Sequence, residues 1–368
     1  MPCIDFVIES KVPATTRVKQ LSAMFDVPLA DVSRLEWHAD IPLEKEAWNV
    51  GLIVGPSGCG KTQIARHMFG TAFHPSFTWE NRPVIDDFDE GLSIGDISKA
   101  CQAVGFNTIP AWMRPHSVLS NGEQFRVDLA RRLLELPDPI VIDEFTSVVD
   151  RQVAKIGAHA AQKYVRRNKR KLVAVSCHED IEDWLQPDWI YRPASNEFAR
   201  RSLQPRPQIN VSIAQVEHKM WQLFAPYHYL TASLNKAARC FVLFVEGQPA
   251  AFAGVLHRPH PKKKNLKGIS RLVTLPDWQG LGLAFVLVDF LGGCYNAMRY
   301  DLNTYPAHPA LIRGFDKSKE WTMKTKPAKM QQPGIRTTRK NMCKARPCAV
   351  FQYCGVAQPL DVVQKVFV

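Results

Sequence analysis

No run among the 368 residues is long and apolar enough to cross a membrane; the longest, Gly280 to Cys294, is too short and is broken by Asp289. The opening MPCIDFVIES carries acidic residues and no extended apolar region, so it does not read as a secretory leader. A cytoplasmic protein that avoids the membrane is expected. The nine cysteines include no C-x-x-C pair, which argues against a disulfide scaffold and for reduced thiols. Cys343, Cys348 and Cys354 form only a loose cluster, without the tight spacing of a zinc site. Internal repeats are absent. Acidic residues are scarce in one half alone: residues 204–368 hold 8 Asp and Glu against 23 Lys and Arg, whereas residues 1–203 hold 27 against 24. The net charge of +12 therefore resides in the C-terminal part. Such asymmetry suggests a polyanionic partner, DNA or RNA, for that part; a solvated basic surface accounts for the same charge.

The length exceeds one ordinary core, so two domains are expected, and the 46% hydrophobic content suits globular ones. Arg192 to Asn210, rich in Pro, Arg, Ser and Asn, reads as a linker or a strand-turn exit. It sets the predicted boundary near residue 205, giving domains 1–205 and 206–368. Before it, apolar strands at Val50–Gly55, Pro139–Phe145 and Lys171–Ser176 alternate with helical patterns, which indicates an α/β sheet. After it, Cys240 to Arg258 reads as a β-hairpin around a Glu246–Pro249 turn.

Gly55, Pro56, Ser57, Gly58, Cys59, Gly60, Lys61 and Thr62 spell G-x-x-x-x-G-K-[ST] in full, after a strand and at the start of a helix. Glycines let backbone N–H groups close on a β-phosphate. Lys61 can reach the β- and γ-phosphates, and the Thr62 hydroxyl can ligate Mg²⁺. Downstream, IVIDEF ends a strand on Asp143 and Glu144: Asp143 suits the Mg²⁺ shell, and Glu144 suits polarisation of the attacking water. ATP and Mg²⁺ are the implied ligands.

Between these lies LSNGEQFRVDLARRL, Leu119 to Leu133. It resembles the signature of ABC-type ATPases. Leu119, Ser120, Gly122 and Arg126 fit that pattern, while Asn121 and Glu123 depart from its commonest letters. TSVVD (Thr146 to Asp150) resembles the family's D-loop, and His178 stands where the family has its switch histidine. The family's Q-loop glutamine is missing from Trp79 to Asp86, and Gln102 falls in a helical pattern instead. Trp37 is the candidate for base stacking. The resemblance implies a P-loop domain with a helical subdomain. It also implies an ATP-dependent head-to-tail homodimer, in which Ser120 and Gly122 of one subunit close on ATP held by Lys61 of the other, the helix N-terminus supplying donors.

A second phosphate turn occupies Gln279, Gly280, Leu281, Gly282, Leu283 and Ala284. With the strand before it, the helix after it and the upstream hairpin, it resembles the [QR]-x-x-G-x-[GA] motif of GNAT acetyltransferases over roughly residues 215–315. That resemblance implies an α+β domain with a mixed, splayed sheet, and acetyl-CoA or another acyl-CoA as cofactor. The pyrophosphate would be capped by amides at a helix N-terminus. The Thr274–Leu275 backbone would run beside the pantetheine and offer an N–H to the thioester carbonyl, a donor typically worth ~3 kcal/mol. Many members use a Tyr in the helix after the next strand; HPALIRGFDKS has none. Tyr305 and His308 just before it, and His228 and Tyr229 upstream, are the candidate acid and base.

For the acceptor, Lys317 to Arg346 holds ten Lys and Arg with one acidic residue and includes Trp321, and Pro261 to Lys267 adds PKKKNLK. Phosphate neutralisation plus an aromatic platform suits nucleic acid. An ATP-gated protein or small-amine acetyltransferase, and an ATP-switched scaffold with a degenerate acyl site, are the alternatives.

Overall fold

The computed structural model describes residues 3–11, 13–29, 32–74, 76–201, 208–228, 232–329 and 347–367. Strands Ile140–Ile142, Leu172–Ser176 and Val50–Val54 are buried at every position. A strand covered on both faces has no polar side, which is why these runs show no alternation. With Trp189–Arg192 and Glu197–Arg200 they make a five-stranded sheet, in that order. The first four strands are parallel and the last returns antiparallel. Part of the expected linker is therefore the closing hairpin of this sheet, and residues 202–207 lie outside the described residues.

The helix Lys61–Phe69 leaves the central strand through the P-loop. Helices Ile94–Ala103 and Asn121–Glu135 pack on each other and on Arg151–Arg167. Asn121–Glu135 opens with a capping box: the Ser120 hydroxyl accepts from the Glu123 N–H at 3.4 Å, and the Glu123 carboxylate accepts from the Ser120 N–H at 3.1 Å. An antiparallel pair, Cys3–Lys11 with Val32–Asp40, leans on the P-loop helix, its Phe6 ring 4.6 Å from the His67 ring and 4.9 Å from Trp37.

The second sheet has seven strands in the order Trp321–Lys329, Pro347–Tyr353, Asp301–Thr304, Leu266–Thr274, Gln248–His257, Arg239–Val245 and Val211–Val216. One neighbouring pair is parallel, Leu266–Thr274 with Asp301–Thr304, and the others are antiparallel. The parallel pairing runs only from Leu266 opposite Asp301 to Gly268 opposite Asn303. Beyond it the first strand continues to Thr274 with that edge open, so the sheet forks. The hairpin turn is tighter than expected: Glu246 (φ 49°) and Gly247 (φ 80°) both adopt left-handed backbone, and Pro249 falls inside the next strand beside a register shift. Upstream of the hairpin a short helix, Trp221–Phe224, sits between single 3-10 turns, because Pro226 lacks the N–H that would continue it.

The two halves share packing. Ile156, on the helix Arg151–Arg167, lies in the apolar core of the second sheet. The turn Pro276–Trp278 rests on both Asn121–Glu135 and Arg151–Arg167. Among the described residues no helix is long and apolar enough to cross a membrane, and no cluster of metal-ligating side chains occurs. Cys348 and Cys354 are free thiols, and Cys343 lies outside the described residues, as do residues 330–346 of the basic segment.

Candidate active sites

The P-loop is shaped by its glycines. Gly58 (φ 83°) and Gly60 (φ 86°) hold left-handed backbone that turns successive N–H groups toward one concavity. The Lys61 ammonium arches back onto the Pro56 carbonyl at 2.7 Å, spanning the mouth of the loop. Thr62 Oγ1 donates to Asp143 Oδ1 at 3.2 Å, so two hard oxygen ligands stand side by side, the arrangement Mg²⁺ takes. These residues fit ATP and Mg²⁺. The Glu144 N–H donates to the same Asp143 oxygen at 2.9 Å, while Glu144 itself is exposed with φ 50°. His178 follows the strand Leu172–Ser176 and donates its backbone N–H to the Ser176 hydroxyl at 3.1 Å. Trp37 stands over the loop, with its Cζ2 only 2.3 Å from where a Gly60 Cβ would lie, so Gly60 is required for clearance as well as for φ. Among the described residues, no hydrogen bond joins Ser120 or Gly122 to the P-loop of the same chain.

The second phosphate turn lines a cavity of about 260 Å³. Gly280 (φ 101°) and Gly282 (φ 79°) carry backbone that L side chains resist, and Gly282 caps the helix Leu283–Ala297. A Cβ on Gly282 would project into open space. The Phe285 N–H already bonds Gly282 O at 3.0 Å, but the first amides of a helix, here Leu283 and Ala284, have no intrahelical acceptor, so a pyrophosphate fits here. Thr274, Gly280, Gly282, Leu283 and Ala284 line the cavity, as do His308 and Tyr227; Leu281 instead packs against the apolar core.

Several expectations need correction. The Leu275 N–H donates to Ala250 O at 2.9 Å within the sheet, so it is not available to a thioester. By alternation along the strand, the Thr274 N–H faces the open edge of the fork. Gln279 is buried and fully engaged: Oε1 accepts from the Asn107 N–H at 2.9 Å, Nε2 donates to Thr274 O at 3.0 Å, and its own N–H bonds Pro276 O at 3.1 Å. It braces the turn from within and also lines the cavity. Tyr305 does not line the cavity but lies beneath the Arg258 guanidinium at 5.1 Å. His228 sits edge-on to Trp221 at 5.7 Å, away from the lining, and Tyr229 lies outside the described residues. Trp321 is a core residue whose indole N–H donates to Asp289 at 2.6 Å, so it offers no platform for a base.

His308 does line the cavity, buried at the start of the helix Pro309–Lys317. The Ala310 N–H donates to its Nδ1 at 3.2 Å, which leaves the neutral ring's proton on Nε2. Burial, with Arg313 nearby, holds its pKa below the ordinary histidine value. The ring is thus a neutral hydrogen-bond donor near pH 7, suited to donation and not to base catalysis. Because the unfolded chain binds a proton at higher pH than the native ring does, this site subtracts stability as pH falls through the ordinary histidine range. His308→Asn keeps an N-cap acceptor and should flatten the loss of Tm between pH 7 and pH 5, a shift measurable by calorimetry.

A family model for the GNAT acetyltransferases matches residues 179–291, beginning before the closing hairpin of the first sheet. The molybdenum import ATP-binding protein ModC 2 of Bradyrhizobium diazoefficiens is 31% identical over 150 residues, covering 30% of this chain. The chain spans only 16% of that relative's length. The chain is thus similar to GNAT acetyltransferases over residues 179–291 and to an ABC-type ATP-binding protein over 150 aligned residues. Similar solved structures include the ribosomal-protein-S18-alanine N-acetyltransferase of Escherichia coli, at 15% identity and TM-score 0.30 over 41% of this chain and 96% of that one. A bacterial Atm1-family ABC exporter with ATP bound shows 20% identity and TM-score 0.34 over 43% of this chain and 33% of its own.

Sequence reasoning missed the junction of the two domains. Gln102, Asn107 and Thr108 of the first domain wall this cavity together with the second phosphate turn. Gln102 Oε1 accepts from Arg313 at 2.5 Å across the junction. A Cβ on Gly105 (φ 82°) would sit 2.7 Å from Gln279 O, so a glycine lets the two backbones touch. Arg126 of the signature helix is 1% exposed, and its Nε and Nη2 lack partners among the described residues. Burial lowers its pKa against the opposing charges of Asp277 in the GNAT turn, Asp150 in the D-loop and Glu123 in the signature. Partial loss of solvent in turn raises the Asp277 carboxyl, against the pull of Arg126.

Proposed function

We propose that the protein is an ATP-dependent N-acyltransferase whose acceptor is nucleic acid or a group held on it. The observation that carries this reading is the shared wall: the ATPase domain supplies Gln102, Asn107 and Thr108 to the cavity whose other side is the GNAT turn. In the ATPase domain, Lys61, the P-loop amides and the paired oxygens of Thr62 and Asp143 bind and orient the triphosphate. Glu144 orients water. Closure of a head-to-tail homodimer brings Ser120 and Gly122 of the second copy over the nucleotide. In the GNAT domain, acetyl-CoA supplies the activated acyl thioester. The amides after Gly280 hold its phosphates, the Thr274 N–H faces the carbonyl, and the neutral His308 Nε2–H offers a hydrogen bond to the departing thiolate, whose proton comes from the attacking amine by way of solvent. The acceptor amine must arrive neutral.

Incubation of the full chain with labelled acetyl-CoA, Mg-ATP and a panel of DNA, RNA, polyamine and basic protein tests this. Label is expected in nucleic acid and stimulated by ATP. Label confined to amine or protein selects the rival acceptor class, and no transfer at all selects a scaffold.

The coupling route makes its own prediction. Arg126 stands among charges of the signature, the D-loop and the GNAT turn, so movement of the first two on nucleotide binding alters the field at the third. Coupling between two sites is typically about 5–150-fold in affinity. Asp277→Asn should bring the effect of a non-hydrolysable ATP analogue on acetyl-CoA affinity close to unity. Acetyl-CoA affinity without nucleotide should change little. Calorimetric titrations with and without the analogue measure both.

A further inference from the structure

At the fork of the second sheet, Arg258 and Arg271 lie near each other. Arg258 lies flat across the strand above Gly268, where an added Cβ would fall 2.7 Å from its Cγ and Nε, and its guanidinium covers the Tyr305 ring at 5.1 Å. Arg258 Nε is buried without a hydrogen-bond partner among the described residues. Asn303, paired in register with Gly268 and so on the same face, has a buried Oδ1 equally without a partner. Arg271 is anchored by donating to Ser233 O at 2.8 Å and Ser270 O at 2.7 Å, and burial, with the charge of Arg258 beside it, lowers its pKa. Lys267, the residue before Gly268, points to the opposite face of the sheet, where it covers Tyr300 at 4.7 Å. The neighbouring carboxylate, Asp301, is already paired with Lys263. Bringing like charges together on a partly desolvated face is unfavourable unless an anion completes the site. The same strand goes on to line the acyl-CoA cavity from Leu272, and the segment after Asn303 and Tyr305 delivers His308 to it.

We propose that Arg258, Arg271 and Asn303, backed by Tyr305, seat a phosphodiester of the nucleic-acid acceptor at the fork, beside the acyl-transfer cavity. The proposal rests on the reading of the acceptor as nucleic acid. Arg258 and Arg271 neutralise the phosphate, the Arg258 Nε–H acquires an acceptor, and Asn303 Oδ1 receives a donor from the sugar or base. The deeper position of the thioester then selects an amine one short reach from that phosphate.

The test is oligonucleotide binding by the full chain over a salt series, with acetyl-CoA titrated in parallel. Arg258→Gln should weaken oligonucleotide binding roughly ten- to a hundredfold, the loss of one charge-assisted contact. It should also reduce the slope of log K against log salt by about one. Acetyl-CoA affinity should stay within twofold of wild type, which shows that the fork is folded. Arg258→Lys should keep the slope but recover only part of the affinity, because an ammonium cannot present two parallel donors. Lys365→Gln, an equal charge change on the exposed last helix, serves as control. If the wild-type chain binds and Arg258→Gln matches Lys365→Gln, the seat is overturned while the acceptor reading stands. If the wild-type chain neither binds nor acylates nucleic acid, the acceptor reading itself falls. Competition by a mononucleotide as effective as the oligonucleotide overturns the polymeric acceptor.

Discussion

Glu144→Gln is expected to lower ATP turnover at least a hundredfold, with ~10²–10⁴ being the usual contribution of a positioned base, while ATP still binds. The strand Ile140–Ile142 ends in a division of labour between adjacent carboxylates. Asp143 is committed, since one of its oxygens receives both the Thr62 hydroxyl at 3.2 Å and the Glu144 N–H at 2.9 Å. The Glu144 carboxylate takes no such bond, is exposed, and stands on a left-handed backbone of φ 50°. That conformation costs a β-carbon-bearing residue roughly 1–2 kcal/mol, and such strain persists where surrounding structure enforces an orientation. Glutamine keeps the shape and cannot accept a proton. With hydrolysis stopped, the closed nucleotide state should accumulate, and light scattering with Mg-ATP at micromolar protein should report a dimer. A monomer under those conditions, with ATP shown to be bound, overturns the closure of two copies around the nucleotide.

The legible parts of this protein are those in which main-chain geometry dictates residue type. Gly58, Gly60, Gly280 and Gly282 all hold positive φ, so both phosphate turns leave a glycine pattern in the sequence. Buried parallel strands such as Val50–Val54 leave unbroken apolar runs for an equally direct reason. What escaped is side-chain allegiance. Gln279 matches the motif of a cofactor turn, yet its side chain also ties that turn to Asn107 and Thr274. Trp321 sits in a basic stretch, yet its indole is buried on Asp289. A linear pattern records that a polar group is present, not which neighbour from 172 positions away will claim it. The junction around Arg126 escaped for the same reason: Glu123 and Asp150 fall in recognisable motifs, but that Asp277 from another part of the chain joins them around one buried charge appears only when the fold assembles them.

Gly282→Val carries the other large effect, and Gly247→Val supplies its measure. Both glycines have nearly the same backbone, φ 79° and φ 80°, and at both an added Cβ would meet no atom within 4 Å. The left-handed penalty of roughly 1–2 kcal/mol is therefore common to the two variants. Their surroundings differ. Gly247 closes an exposed hairpin, whereas Gly282 lines the cavity at the cap of the helix whose first amides would receive the pyrophosphate. A branched side chain there fills the cavity and turns the amides away. Losing two charge-assisted hydrogen bonds, each about 1.5–3 kcal/mol, corresponds to at least a hundredfold loss of acetyl-CoA affinity. Gly247→Val should lower Tm by a similar amount and leave acetyl-CoA binding intact. ATP binding at Lys61, on a separate sheet, should survive in both. If calorimetry finds acetyl-CoA affinity equally weakened in the two variants, strain alone accounts for the loss and the turn at Gly282 does not hold the cofactor. If only Gly282→Val loses it, the open volume beside that glycine is where the phosphates sit.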